Sequence, residues 1–153
     1  MQRLKNPGAL LPNALPHLYA LAGTPAAMGL PKPLLELVHM RISQINACSF
    51  CIELGWRNMT EAGEKPERMF GVAGWRHTNY FSAEERAALA LAEAVTRLAD
   101  KEDAVPDELW AEVTANFDEQ KIAGLLLHIG MVNVWNRFNV PARVLPAPLS
   151  TLR

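Results

Sequence analysis

The stretch from Ile122 to Trp135 is the longest apolar run in the chain, broken by His128 and Asn133. It is too short to span a bilayer, which takes about 20 apolar residues. Asp118 suits its N-cap and helical spacing carries it to about Asn139, with a middle that is apolar nearly all round. A helix of this kind has no face to offer to water. It must lie at the centre of a domain or be covered by another subunit, and the remaining segments have to be read around that demand.

Those segments are divided by Pro, Gly and acidic caps, and no run alternates apolar and polar residues beside a hairpin turn. The pattern predicts an all-α fold, a single-domain bundle of about six to seven helices over 1–153, with its core at about 29–140. Residues 1–15 read as an irregular arm and 141–153 as a Pro-rich tail. A short helix is expected from His17 to Met28, weakened at Gly23-Thr24-Pro25. Pro31 and Pro33 suit the first turn of a helix to Ile45, with Leu34, Leu35, Val38, Ile42 and Ile45 on one stripe. Asn46-Ala47 breaks it, and the next helix runs from Cys48 to Gly63, which is placed as a C-terminal cap. A helix from Pro66 to Val72 is followed by a loop through Trp75, His77 and Tyr80. Ser82 and Glu85 form a capping box opening an Ala-rich helix to Ala99. Pro106 starts a further helix with Leu109, Trp110, Val113 and Phe117 inward.

At 153 residues, half of them apolar, the chain can bury a core as one domain. Its net charge of −1, without a basic block, disfavours nucleic acid and anionic membrane as partners. Pro7, Pro12 and Pro16 break up any secretory apolar segment, so a cytoplasmic protein is expected.

Two cysteines are present, in Cys48-Ser49-Phe50-Cys51. An isolated Cys-x-x-Cys in a chain of this kind reads as a redox couple before it reads as a staple. The attacking species is a thiolate, so something must lower a cysteine pKa. A helix N-terminus favours negative charge by ~0.3–1 kcal/mol, less than about one pKa unit at ~1.4 kcal/mol per unit. A base held by a carboxylate is the usual further help. Glu36, on the preceding helix and in an apolar run, is the candidate carboxylate. His39 lies three residues later on the same helical face and is a possible auxiliary base, although a histidine in such a setting is more often a hydrogen-bonded core or interface group. His128 invites the same reading less strongly, and His17 and His77 look like surface residues. Zinc would need four ligands, and no second Cys or His pair has suitable spacing, so neither metal nor other cofactor is expected.

The segment Glu36-Leu37-Val38-His39-Met40-Arg41-Ile42-Ser43-Gln44-Ile45-Asn46-Ala47-Cys48-Ser49-Phe50-Cys51 resembles the core of the alkylhydroperoxidase D and carboxymuconolactone decarboxylase superfamily. Ala62-Gly63-Glu64, the run from Phe81 to Ala90, and Asn133-Val134-Trp135-Asn136-Arg137 resemble its peroxidase-like branch in the same order. The resemblance spans about 29–140. It implies an all-helical subunit, assembled into homo-trimers or homo-hexamers, that reduces hydroperoxides. Cys51 would be oxidised to sulfenic acid, Cys48 would donate a proton and close the disulfide, and Glu36 would be the relay carboxylate. A lipoyl- or thioredoxin-like protein would restore the dithiol.

The chain departs from that pattern where the family places a histidine four residues after the second cysteine. Gly55 stands there, and Phe50 stands where some members carry another histidine just before that cysteine. Glycine inside a helix costs ~1 kcal/mol relative to alanine, so something else is expected to use the space: Trp56, water or a ligand. Slow peroxidase turnover with a disulfide that still forms is the expectation. A carboxymuconolactone decarboxylase-like lyase, which would not need the dithiol, remains an alternative. So does a non-catalytic binding or oligomeric protein with a pocket walled by Trp56 and the helix from Pro31 to Ile45. Asn133 and Asn136 are read as structural, bonded to backbone of a neighbouring loop or subunit.

Overall fold

The computed structural model describes residues 1–146. Seven α-helices and no strand occur among the described residues: α1 (Leu15–Ala27), α2 (Lys32–Ile45), α3 (Ser49–Glu61), α4 (Pro66–Gly71), α5 (Ala83–Thr96), α6 (Asp107–Asn116) and α7 (Glu119–Ala142). Three 3-10 segments, Pro7–Leu10, Val72–His77 and Leu98–Asp100, join them.

Local chemistry sets most of the ends. Ser82 and Glu85 form both halves of the capping box of α5, and Asp118 accepts from the Lys121 amide at 2.8 Å to start α7. Four helices end in the same closure, with one residue in the left-handed region and paired reverse hydrogen bonds; at the end of α1 it is Gly29 (φ 86°), with Gly29 N to Ala26 O and Leu30 N to Pro25 O. At the end of α3 the left-handed residue is Gly63 (φ 77°), with Gly63 N to Thr60 O and Glu64 N to Met59 O. At the end of α2 it is Ala47 (φ 53°), with Ala47 N to Gln44 O and Cys48 N to Ser43 O. At the end of α7 it is Arg143 (φ 51°).

Several expected boundaries shift. The first helix passes through Gly23-Thr24-Pro25 without a break, because Pro25 is buried where α1 packs on Gly124 of α7. A Cβ at Gly124 would lie 3.2 Å from Leu30 Cδ1 and 3.3 Å from Met28 Sδ, so glycine eases this close approach. The last helix runs past Asn139 to Ala142 with Pro141 in its final turn, so the expected tail is helical at its start; its part beyond 146 lies outside the described residues. The N-terminal arm is tied down, since Arg3 N donates to Ala142 O at 2.9 Å. The expected loop after α4 is a 3-10 segment with Trp75 buried, its indole donating to Glu93 at 2.9 Å. Helix α5 stops at Thr96 rather than Ala99. Trp110 is 41 % exposed and not inward; Leu109, Val113 and Phe117 form the inner side of α6 with its C-cap.

The apolar α7 is central: it packs against α1, α2 and α5. One apolar cluster joins Leu34, Leu35, Val38 and Ile42 of α2 to Ala88 and Leu91 of α5, Val113 of α6 and Leu125, Ile129 and Val132 of α7. A second joins Leu37 and Met40 on the other side of α2 to Met59, Met69, Val72, Trp75, Phe81 and Leu89. Helix α2 is therefore buried on two sides, which leaves Glu36 and His39 between clusters, facing α3.

Candidate functional site

Cys48 closes α2 through its amide and caps α3 through its side chain. Its Sγ accepts from the Cys51 amide at 3.3 Å, the bond an N-cap side chain makes. The helix thus begins at Ser49, with Cys48 as its cap and Cys51 in its first turn. The two are joined in a disulfide with Cα atoms 5.3 Å apart, and each is 2 % exposed. Asn139 of α7 donates its Nδ2–H to Cys51 Sγ at 3.5 Å. Cys51 therefore has two sources of positive potential, the free amides of the α3 N-terminus and the Asn139 amide.

Cys51, Gly55 and Asn58 share one face of α3, at successive turns. Across from it stand Glu36, His39 and Met40 of α2. Glu36 is gripped from both helices: Oε2 lies 3.1 Å from His39 Nδ1, and Oε1 accepts from Asn58 Nδ2 at 3.0 Å. Burial alone would raise the Glu36 carboxyl, but the hydrogen bond and charge of His39 and the Asn58 donor hold it below the usual carboxylate range. The space beside Gly55 is occupied by the His39 ring and the Met40 methyl: a Cβ at 55 would lie 3.5 Å from His39 Nδ1 and 3.4 Å from Met40 Cε. Trp56 does not fill it, being 40 % exposed.

His128 is not placed to act. Its Nε2 lies 2.8 Å from the Leu35 carbonyl, and burial pushes its pKa down to about 4, so it is neutral and donates to that oxygen. Asn133 and Asn136 bond mainly to side chains, one of them Asn46 in the α2–α3 connection, rather than to loop backbone. Asn46 Nδ2 donates to both of their Oδ1 atoms, at 3.0 and 2.9 Å, and Asn136 Nδ2 reaches Ser43 Oγ at 3.3 Å. This ladder pins the end of α2, and with it Cys48, to α7. Glu53 forms an ion pair with Arg57, and Glu64 with Arg68. Asn58 and Asn139 escaped sequence reasoning. Asn58 carried a usable sign, its place seven residues after Cys51 on one helix face; Asn139 carried none, because its partner is remote in sequence.

A cavity of about 280 Å³ is lined by Ala47, Cys48, Ser49, Asn139, Val140, Arg143, Val144 and Leu145. Cys48, and not Cys51, faces it. A second of about 260 Å³ lies between Lys32, Pro33, Glu36, Met59, Ala62, Gly63 and Glu64 and so borders Glu36. Trp56 walls neither. A cleft of about 800 Å³ near Trp75, Arg86 and Glu112 touches no cysteine. Among the described residues no group of three or more His, Cys, Asp or Glu is placed to hold a metal ion, and no helix is long and apolar enough to cross a membrane.

The family model for the carboxymuconolactone decarboxylase family matches residues 12–94. The uncharacterised YdfG protein of Bacillus subtilis is 37 % identical over 105 residues, 69 % of this chain and 70 % of that one. The uncharacterised YnjA protein of Escherichia coli is 36 % identical over 104 residues, and the match spans 56 % of its length. Among solved structures, a protein of unknown function from Agrobacterium tumefaciens, provisionally assigned to antioxidant defence as AhpD, superposes with a TM-score of 0.88. It is 28 % identical and aligns over 97 % of this chain and 99 % of its own. The debrominase Bmp8 in its apo form shares the fold, with a TM-score of 0.81 over 95 % of this chain and 77 % of its own at 17 % identity.

Proposed function

Because this chain belongs to the carboxymuconolactone decarboxylase family, we propose that its Cys48–Cys51 pair makes it a thiol-dependent hydroperoxide reductase of the alkylhydroperoxidase D type. The observation that carries this reading is the setting of Cys51, in the first turn of α3 with Asn139 donating to its sulfur. Both features favour a thiolate there. The provisional antioxidant assignment of the Agrobacterium relative, similar over nearly the whole chain, supports the same class.

In this reading the reduced Cys51 thiolate attacks the terminal oxygen of the hydroperoxide. An S–O bond forms as the O–O bond breaks, and the alkoxide leaves as an alcohol after taking a proton. Cys48 sulfur then attacks Cys51 sulfur, the disulfide forms and water departs. The pair has given two electrons, which an external dithiol returns. Cys48 is the cysteine that borders a cavity and Cys51 the one whose sulfur Asn139 supports, so in this reading the reductant attacks Cys48 and Cys51 leaves as the stabilised thiolate. A lipoyl- or thioredoxin-like protein is the class of reductant, and a reducing compartment, the cytoplasm, supplies it. Exposed Leu54 and Trp56 on α3 and Phe70, 74 % exposed, suit a homo-trimer or homo-hexamer.

The test is stoichiometric. The reduced protein, mixed with one equivalent of an alkyl hydroperoxide, should lose both thiols within minutes and gain the mass of a disulfide. Cys48→Ser should stop at a trappable Cys51 sulfenic acid, and Cys51→Ser should not react. No thiol loss from the wild type would refute the reading. An activity that survives in the Cys48→Ser, Cys51→Ser double variant would point to a lyase instead.

A further inference from the structure

We propose that His39, reaching from α2 into the space beside Gly55, is the proton relay of the dithiol site. The inference rests on the peroxidase reading above and assigns it a residue. Position 55 lies one turn beyond Cys51 on the same face of α3, so a side chain there would belong to the cysteine's immediate surroundings. It has none, and the His39 imidazole stands in its place: a Cβ built at 55 would be 3.5 Å from Nδ1 and 3.6 Å from Cε1 of that ring. Those are ordinary contacts, so an alanine would fit. A second imidazole extending beyond that Cβ would collide with the first. Glycine at 55 and histidine at 39 are thus two halves of one arrangement.

The ring is held as a relay base needs to be. Nδ1 is within hydrogen-bond distance of Glu36 Oε2, and the other carboxylate oxygen is fixed by Asn58, so the dyad is braced from both helices. With Nδ1–H directed to the carboxylate, the neutral ring carries its lone pair on Nε2, the tautomer set by the partner of the other nitrogen. Nε2 takes the proton of the Cys51 thiol as the thiolate attacks, and the imidazolium gives it to the departing alkoxide, which leaves as alcohol. The ring ends as it began. The other ionisable groups around it are Glu36 on its own helix, the cysteines of α3 and His128 of α7. His128 is a poor substitute: its Nε2–H is given to the Leu35 carbonyl and burial lowers its pKa to about 4, which makes it a weak base.

The experiment measures two rates on the reduced protein: oxidation of Cys51 by an alkyl hydroperoxide, and its alkylation by iodoacetamide as a function of pH, each read by mass. The variants are His39→Gln, His39→Ala, and His39→Ala combined with Gly55→His. Glutamine can still donate to Glu36 but cannot accept and return a proton. A structural partner is therefore rescued by it and a relay is not. Both single variants should slow peroxide oxidation about a hundredfold, the low end for a lost general base, and move the alkylation midpoint upward. The double variant, which offers an imidazole from α3, should recover a large part of the rate lost in His39→Ala. His39→Gln reacting within about twofold of wild type in both assays would overturn the proposal, as would a folded double variant no faster than His39→Ala. If the wild type is not oxidised by peroxide yet its alkylation profile depends on His39, the relay stands and the peroxidase reading fails.

Discussion

Cys51 Sγ is met by one amide from a helix far along the chain, and that single contact separates it chemically from Cys48. Asn139 donates to Cys51, whereas among the described residues Cys48 Sγ accepts the cap hydrogen bond from the Cys51 amide and no side-chain donor. A hydrogen bond to a charged acceptor is worth ~1.5–3 kcal/mol, and a sulfur acceptor at 3.5 Å sits at or below the low end. Asn139→Ala should therefore raise the Cys51 thiol pKa by about one unit, at ~1.4 kcal/mol per unit. The pH profile of alkylation of the reduced protein checks this; an unchanged midpoint would mean that Asn139 serves packing alone. The dithiol was legible from its spacing and Glu36 from its place in an apolar run. Asn139 was not, because nothing within a turn of it betrays a sulfur that lies 88 residues earlier in the sequence.

At the scale of elements, the decisive feature is the single left-handed residue between α2 and α3. Ala47 at φ 53° lets the Cys48 amide return to Ser43 O at 3.0 Å, ending one helix, while the Cys48 sulfur opens the next. Alanine is strained in that region by ~1–2 kcal/mol, where glycine is not. Ala47→Gly should consequently stabilise the protein, by about 0.5–1 kcal/mol after the greater unfolded-state freedom of glycine is set against the relief. Urea unfolding of the oxidised protein reads it directly. A loss of stability would mean that the turn relies on the alanine methyl for packing. The helices themselves were readable because caps and stripes are local: Ser82 with Glu85, Asp118, and the α2 stripe all act within two turns. Trp110 was misread for the complementary reason. Helical spacing identifies which residues share a face, not where the neighbouring helices end, and α6 lies at the border of its cluster.

For the whole molecule, the packing of α7 against α2 controls the response to acid. His128 on α7 is buried against the Leu35 carbonyl of α2, with its pKa lowered from 6.5 to about 4. Between those values the unfolded chain binds a proton that the folded one does not. Stability is present above 6.5 and drains away as pH falls toward 4, by up to about 3 kcal/mol. Glu36, also lowered, adds a further loss below 4.5. Urea midpoints measured from about pH 7.5 down to about pH 4.5 should fall for wild type. They should stay nearly level for His128→Gln, which keeps a donor for Leu35; equal slopes would exclude His128 as the source. What the sequence determined by itself was the set of helices, the demand that the apolar α7 be covered and the Cys-x-x-Cys spacing, since each depends on neighbours within a few residues. Only the tertiary structure decided that His39 fills the space at Gly55, that Asn58 steadies Glu36 and that Asn139 reaches Cys51. Those choices depend on how closely helices distant in sequence approach, which side-chain volume and packing set and local chemistry does not encode.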